Sequence, residues 1–258
     1  MSQERTGNDY FCTGFHDIPG LAPGSNMGES PYELDGRLIN CVLRRLAAEG
    51  LRRYPRRAAG VLEKPIAQYY GIGADQVLVT RGCSEALYLV FLWWAHGGGA
   101  DTVRIPAPSW PGFGTIAHLS GLRLEPYSPS EPVRDMSPGS LAVVCTPDNP
   151  TGLVTCESSL LANPYFAAGR GVLDLTYDEY TPSPLSRRLG PLLARGNVAC
   201  LSLSKSAGVA AARLGLLFAH RGFSGKSQVL PSPIALTGSS YCLSKRCSAA
   251  PGSPRARS

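Results

Sequence analysis

Along the chain, short apolar runs rich in β-branched residues alternate with longer stretches of helical character. Gln76–Thr80 reads as a strand, and Ser84–His96 behind it as a helix with an almost wholly apolar body. Thr102–Ile105 and Leu122–Pro126 predict two more strands. Leu141–Cys145, Gly171–Leu175 and Val198–Ser202 predict three others, each bounded by Gly, Pro or Asn. Continuous apolar strands separated by helices predict a three-layer α/β/α sandwich around a mostly parallel sheet, covered on both faces. Such sheets bind ligands beyond the carboxyl ends of their strands, so the loops after these runs are where chemistry is expected. No internal repeat is visible, and residues 1–32 read as a loop-rich arm.

Composition narrows the class. Of 258 residues, 43% are hydrophobic and 17% charged, which describes a folded globular chain and excludes a disordered one. The longest apolar run, Ala86–Ala95, is about half of what a membrane span needs. Met1–Asp9 is polar, so no secretory signal is expected. Eight cysteines lack CxxC or Cys/His spacing, and His16, His96, His118 and His220 lack ligand spacing, so no metal centre is expected. Cys83, Cys145 and Cys200 lie in or beside apolar runs, as buried free thiols of a reducing cytoplasm would.

The net charge of +6 is unevenly spread. Residues 1–180 hold 14 basic and 19 acidic side chains, a balance of −5, whereas residues 181–258 hold 11 basic and none acidic, +11. This segment reads either as a basic, anion-binding tail or as a terminus departing from the chain's natural continuation by truncation or a shifted frame. The second reading is favoured, because the basic residues are dispersed and lack aromatic interleaving, which also argues against a nucleic-acid partner.

Five strand-end segments carry candidate chemistry. In Leu201–Gly215, Lys205 directly follows an apolar strand; desolvation there lowers an amine's pKa and makes it nucleophilic, while Ser202, Ser204 and Arg213 could hold a phosphate. Asp174 ends the run Gly171–Asp174, a costly place for a carboxylate unless it meets a cation such as a protonated pyridine nitrogen. Asn149, in Thr146–Gly152, could offer its amide to a phenolic oxygen, with Pro147, Pro150 and Gly152 shaping the loop. Thr80–Glu85 joins a strand to a helix whose first amides suit an anion. Trp110, in Pro106–Phe113, could stack on a flat ring. Each segment alone has a bland reading: a snorkelling lysine, a turn-capping Asp, an Asn-Pro turn, a helix capped by Ser84 and a core tryptophan.

Taken in order, these segments resemble the fold-type I pyridoxal-phosphate enzymes, specifically class I/II aminotransferases of the histidinol-phosphate aminotransferase type. The likeness runs from about Asn26 to Leu217; the Ser-x-Ser-Lys-x8-Arg-x-Gly pattern and the Asn-Pro-Thr-Gly loop are its most specific pieces. The resemblance implies a pyridoxal 5'-phosphate cofactor carried by Lys205 as a Schiff base, with Lys205 then shuttling a proton at the substrate Cα. It implies that Asp174 pairs with the ring nitrogen, that Tyr177 and Asn149 bond the phenolic oxygen, and that Trp110 stacks on the ring. The Cys83 and Ser84 amides, with the Ser202 and Arg213 side chains, would hold the phosphate. Arg53-Tyr54-Pro55 resembles the motif whose tyrosine, here Tyr54, reaches the neighbouring subunit's phosphate, which implies a homodimer. The implied substrates are an amino acid and a 2-oxo acid, and the implied setting is cytoplasmic amino-acid biosynthesis with no membrane partner.

Three departures stand out. Ser25–Pro31 resembles the substrate-lining N-terminal motif but differs from the usual Asn-Glu-Asn-Pro, and Leu175 replaces the usual Glu after the ring-nitrogen Asp. Only 53 residues follow Lys205, where the family continues for well over a hundred into a small domain that supplies an arginine for the substrate carboxylate. Pro231–Ser240 faintly resembles the next family segment, and no arginine after 213 matches the clamp. The expected division is 1–45 as arm and part of the small domain, 46–240 as the large cofactor domain, and 241–258 as a truncated or divergent tail. The alternatives are a decarboxylase or lyase of the same fold, similar to threonine-phosphate decarboxylase, and an inactive truncated relative. Gly225-Lys226-Ser227 is no phosphate loop, since His220 stands where its first glycine belongs, and Gly222–Gly225 is no nucleophile elbow. Gly71-Ile72-Gly73 lacks the third glycine of a dinucleotide fingerprint.

Overall fold

A computed structural model describes residues 28–50, 52, 62–131, 136–221 and 223. Helix α1 (Gly36–Glu49) opens this part, its first turn capped by the Asp35 carboxylate, which accepts from the Arg37 amide at 2.7 Å. After α2 (Glu63–Tyr70) the chain alternates as predicted: β1 (Val77–Thr80), α3 (Cys83–His96), β2 (Thr102–Pro106), α4 (Gly112–Leu119), β3 (Arg123–Tyr127) and β4 (Ser140–Cys145). The short helices α5 (Glu157–Ala162) and α6 (Pro164–Ala167) lead to β5 (Gly171–Asp174), then α7 (Gly190–Ala194), β6 (Val198–Ser202), α8 (Leu203–Ser206) and β7 (Gly215–Phe218).

The strands form one seven-stranded sheet in the order β1-β7-β6-β5-β4-β2-β3. Six run in one direction; β7 runs against both of its neighbours. Strand β7 is an addition to the sequence reading: its four residues follow an alanine-rich stretch without the turn signals that mark the others.

Side-chain alternation sorts the sheet into two cores. Leu141, Val143, Val172, Val198 and Leu217 join α3 and α4 on one face. Ala142, Val144, Leu173, Ala199, Leu201, Leu216 and Phe218 join α2, α5, α6 and α7 on the other. The interior is therefore apolar on both faces of β4, β5 and β6, where each fully buried aliphatic side chain contributes roughly 1.5–3 kcal/mol. At the amino ends of β5 and β6, buried Asn197 ties the layers together. Its Oδ1 accepts from the Gly171 amide at 2.9 Å, and its Nδ2 donates to the carbonyls of Phe166 and Leu192 at 2.9 and 3.0 Å. Asn197 thus uses both its donors and its acceptor, and the opposite edge carries the unusual groups.

Candidate active site

The parallel strands end together at Thr80, Cys145, Asp174 and Ser202. Strand β7, being reversed, begins there: Gly215 pairs with both Thr80 and Ser202. Arg213, just before β7, is thereby delivered to the same edge as residues that follow β1, β4, β5 and β6.

One side of this edge is built for an anion. Helix α3 begins at Cys83, one residue earlier than the sequence suggested, and its N-cap is Gly82 at φ +81°, with no side-chain cap. Ser84 lies within the first turn and does not act as the cap. The leading amides of a fourteen-residue helix thus remain available, and the helix dipole favours negative charge there. The Arg213 guanidinium lies over Gly82: a Cβ at position 82 would come within 3.0 Å of its Nη2. Arg213 itself takes a left-handed φ of 51°, rare for a residue with a side chain. Gly215 presses on the same turn, where an added Cβ would stand 2.7 Å from the Cys83 amide nitrogen. Glu85 Oε2 accepts from the Arg81 amide and braces the loop. Ser202 Oγ accepts from the Ser204 amide at 3.2 Å, capping α8 and orienting the lysine-bearing turn.

The other side holds an acid and an amine. Asp174 is 4% exposed at the end of β5. Its Oδ1 accepts from the Thr176 amide at 2.9 Å and from the Cys83 thiol at 3.8 Å, and it forms no ion pair among the described residues. Burial pushes its pKa up, opposed by the donors of Thr176 and Cys83. Lys205 lies half-buried in α8; desolvation depresses its pKa, nearby Glu29 works against this, and Arg213 adds to it. Gly28, at φ +61°, brings two candidates to one point: a Cβ there would be 3.0 Å from the Tyr177 hydroxyl and 3.7 Å from Lys205 Nζ. Tyr177 also faces Tyr180, with ring centroids 6.3 Å apart.

Trp110 and Asn149 approach on linked loops. Trp110 is half-buried and meets Phe113 edge-on at 5.3 Å. Its neighbour Ser109 donates to Asp148 Oδ1 at 2.7 Å, while Thr151 donates to Asp148 Oδ2 at 2.6 Å. Buried Asp148 thus clamps the Trp110 loop to the Asn149 loop, and its charge reaches Asp174. The sequence reading passed over Asp148, the Thr176 amide and the approach of Gly28. The Asp-x-Thr spacing, which favours a local side-chain-to-backbone turn, was the signal for the second. Cys83, Cys145 and Cys200 are buried free thiols, as expected. Tyr54, Asn26, Pro231–Ser240 and the 241–258 tail lie outside the described residues.

The described groups could hold a phosphorylated aromatic ring: uncapped amides and Arg213 for the phosphate, a cation-free buried acid for a ring nitrogen, and a desolvated amine for an aldehyde. A family model for aminotransferases of class I and II matches residues 25–250. The chain belongs to that family. Histidinol-phosphate aminotransferase of Citrifermentans bemidjiense is 26% identical over 218 residues, covering 79% of this chain and 60% of that protein. The enzyme of the same name from Thermoanaerobacter sp. is 23% identical, over 84% of this chain and 64% of that protein. This family member thus spans about 60% of the length of the curated relatives it matches. Among solved structures, L-threonine-O-3-phosphate decarboxylase of Porphyromonas gingivalis superposes with a TM-score of 0.71 at 21% identity, over 86% of this chain and 68% of that one. YbdL of Escherichia coli, described as having a methionine aminotransferase function, gives 0.67 at 23% identity, over 84% and 64%. These structures share the pyridoxal-phosphate transferase fold. No described helix is long and apolar enough to cross a membrane.

Proposed function

We propose that the chain binds pyridoxal 5'-phosphate through Lys205 and acts as an aminotransferase between an amino acid and a 2-oxo acid. The observation that carries this reading is a buried Asp174 with no cationic partner among the described residues, on the strand edge that also presents a desolvated Lys205. Pyridoxal phosphate, when bound, supplies an aldehyde for the amine and a protonated ring that accepts electron density.

The chain's own residues then have separate tasks. Lys205, its pKa depressed, keeps more neutral amine near pH 7 than an exposed lysine and can take and return the proton at the substrate Cα. Asp174 holds the ring-nitrogen proton, an ion pair that offsets the cost of its burial. Tyr177 and Asn149 bond the phenolic oxygen, and Trp110 covers a ring face. The Cys83 and Ser84 amides, Ser202 and Arg213 bind the phosphate. Tyr54 completes the phosphate site of a second copy in a homodimer. The division into 1–45, 46–240 and 241–258, and a cytoplasmic setting, belong to the same proposal.

Incubation with pyridoxal phosphate and a panel of L-amino acids, with 2-oxo acids as acceptors, tests the reaction. Formation of a new 2-oxo acid matched by amino-acid product supports the aminotransferase. Carbon dioxide release in its place supports a decarboxylase, and no turnover with any substrate supports an inactive relative.

A further inference from the structure

Asp174 is held by two residues. The Thr176 amide and the Cys83 thiol both donate to Oδ1, and the Thr176 side chain also bonds the carboxylate. The surroundings supply no charge to balance it. Cys145, Asp174 and Cys200 lie in register across β4, β5 and β6, and Cys83 enters from the start of α3 on the same face. The carboxylate is thus ringed by three buried thiols and contacts no basic side chain among the described residues. We propose that Cys83 is a positioning residue for Asp174: its thiol, together with Thr176, fixes the carboxylate in the orientation that would meet the ring nitrogen of a bound pyridoxal phosphate.

Cys83 suits this task because it stays protonated. Contact with Cys200, burial and the Asp174 charge all push its pKa well up, so it remains an S–H donor and adds no competing negative charge. It also links both ends of the site, since its backbone amide belongs to the anion-binding turn while its side chain reaches the acid at the ring end. This inference rests on the proposed cofactor. It is separate from the phosphate role of the Cys83 amide, which any residue but proline at position 83 would keep.

The test compares the full chain with Cys83→Ala and Cys83→Ser. Each is titrated with pyridoxal phosphate and, separately, with inorganic phosphate, and the visible band of the loaded protein is followed against pH. Loss of the hydrogen bond from a thiol, a weak donor, should weaken pyridoxal phosphate binding about fivefold in Cys83→Ala and move the pH midpoint of the band. Inorganic phosphate affinity should stay within about twofold, because the amides and Arg213 are intact. Cys83→Ser, which restores a donor, should recover most of the affinity and the midpoint, and it serves alone if the alanine variant does not fold. Three results overturn the inference while leaving the cofactor reading intact: a Cys83→Ala variant like the parent, an equal loss of phosphate and cofactor binding, or no recovery in Cys83→Ser. A parent that develops no visible band overturns both.

Discussion

Two buried aspartates four residues apart show how differently this chain treats a carboxylate. Asp178, 2% exposed, sits where the chain leaves the site, and its two oxygens are separately satisfied. Oδ1 accepts from the Leu185 amide and Oδ2 from the Ser186 amide, each at 2.8 Å. Asp174 is bonded by Thr176 and by the Cys83 thiol, and burial raises its pKa. Asp178 therefore holds a turn together, whereas Asp174 lies at the strand edge without a cationic partner among the described residues. A buried acid without such a partner, on the same strand edge as a desolvated amine, points to function.

The contrast breaks first at Asp178. Asp178→Asn replaces a carboxylate that accepts two amides by a group with one acceptor and one donor, so one backbone N–H faces another donor. Unfolding by urea should show a loss of about 3–5 kcal/mol. Asp174→Asn should do the opposite in the cofactor-free protein. It keeps an acceptor for Thr176 and Cys83 and removes a buried charge, so stability at pH 7 should rise by about 1 kcal/mol or more while cofactor binding collapses. A parallel loss of stability in both variants would erase the distinction.

Varying pH sharpens the same comparison. Because its folded pKa is raised, Asp174 contributes stability fully below its unfolded value near 4 and loses it as pH climbs through the folded value. The cofactor-free parent should therefore lose ground to Asp174→Asn as pH rises across that interval, and denaturation midpoints measured across it check this. A further effect is expected at Ser109→Ala. Removing one donor from buried Asp148 should cost about 1–2 kcal/mol and loosen the Trp110 loop, seen as a shift in tryptophan emission.

Much of this was legible in the chain because parallel strands write their ends plainly. Apolar runs closing on Asp174, Cys145 and Ser202 mark both the strands and the loops that carry Asn149, Tyr177 and Lys205. Strand β7 was not legible: Gly215–Phe218 is short and merges with the alanine-rich stretch before it, yet its reversed direction is what brings Arg213 to the site. Gly82 as the α3 cap was also hidden, since Ser84 is the better capping residue by type and only the close approach of Arg213 and Gly215 shows why glycine stands there. The side-chain contacts of Cys83 and Asp148 lay beyond the sequence for a different reason. Their partners, Asp174 and Ser109, are far away in the chain and meet them only through the sheet order.

Everything proposed for the site depends on Lys205 as the amine that takes pyridoxal phosphate. The chain has four lysines, Lys64, Lys205, Lys226 and Lys245, so the attachment point can be read residue by residue. The protein is incubated with pyridoxal phosphate, reduced with borohydride, digested and mapped by mass spectrometry, beside Lys205→Ala. A stoichiometric label on Lys205 is expected, and its disappearance in the variant. A label spread over the other lysines, or one equally strong in Lys205→Ala, would contradict it.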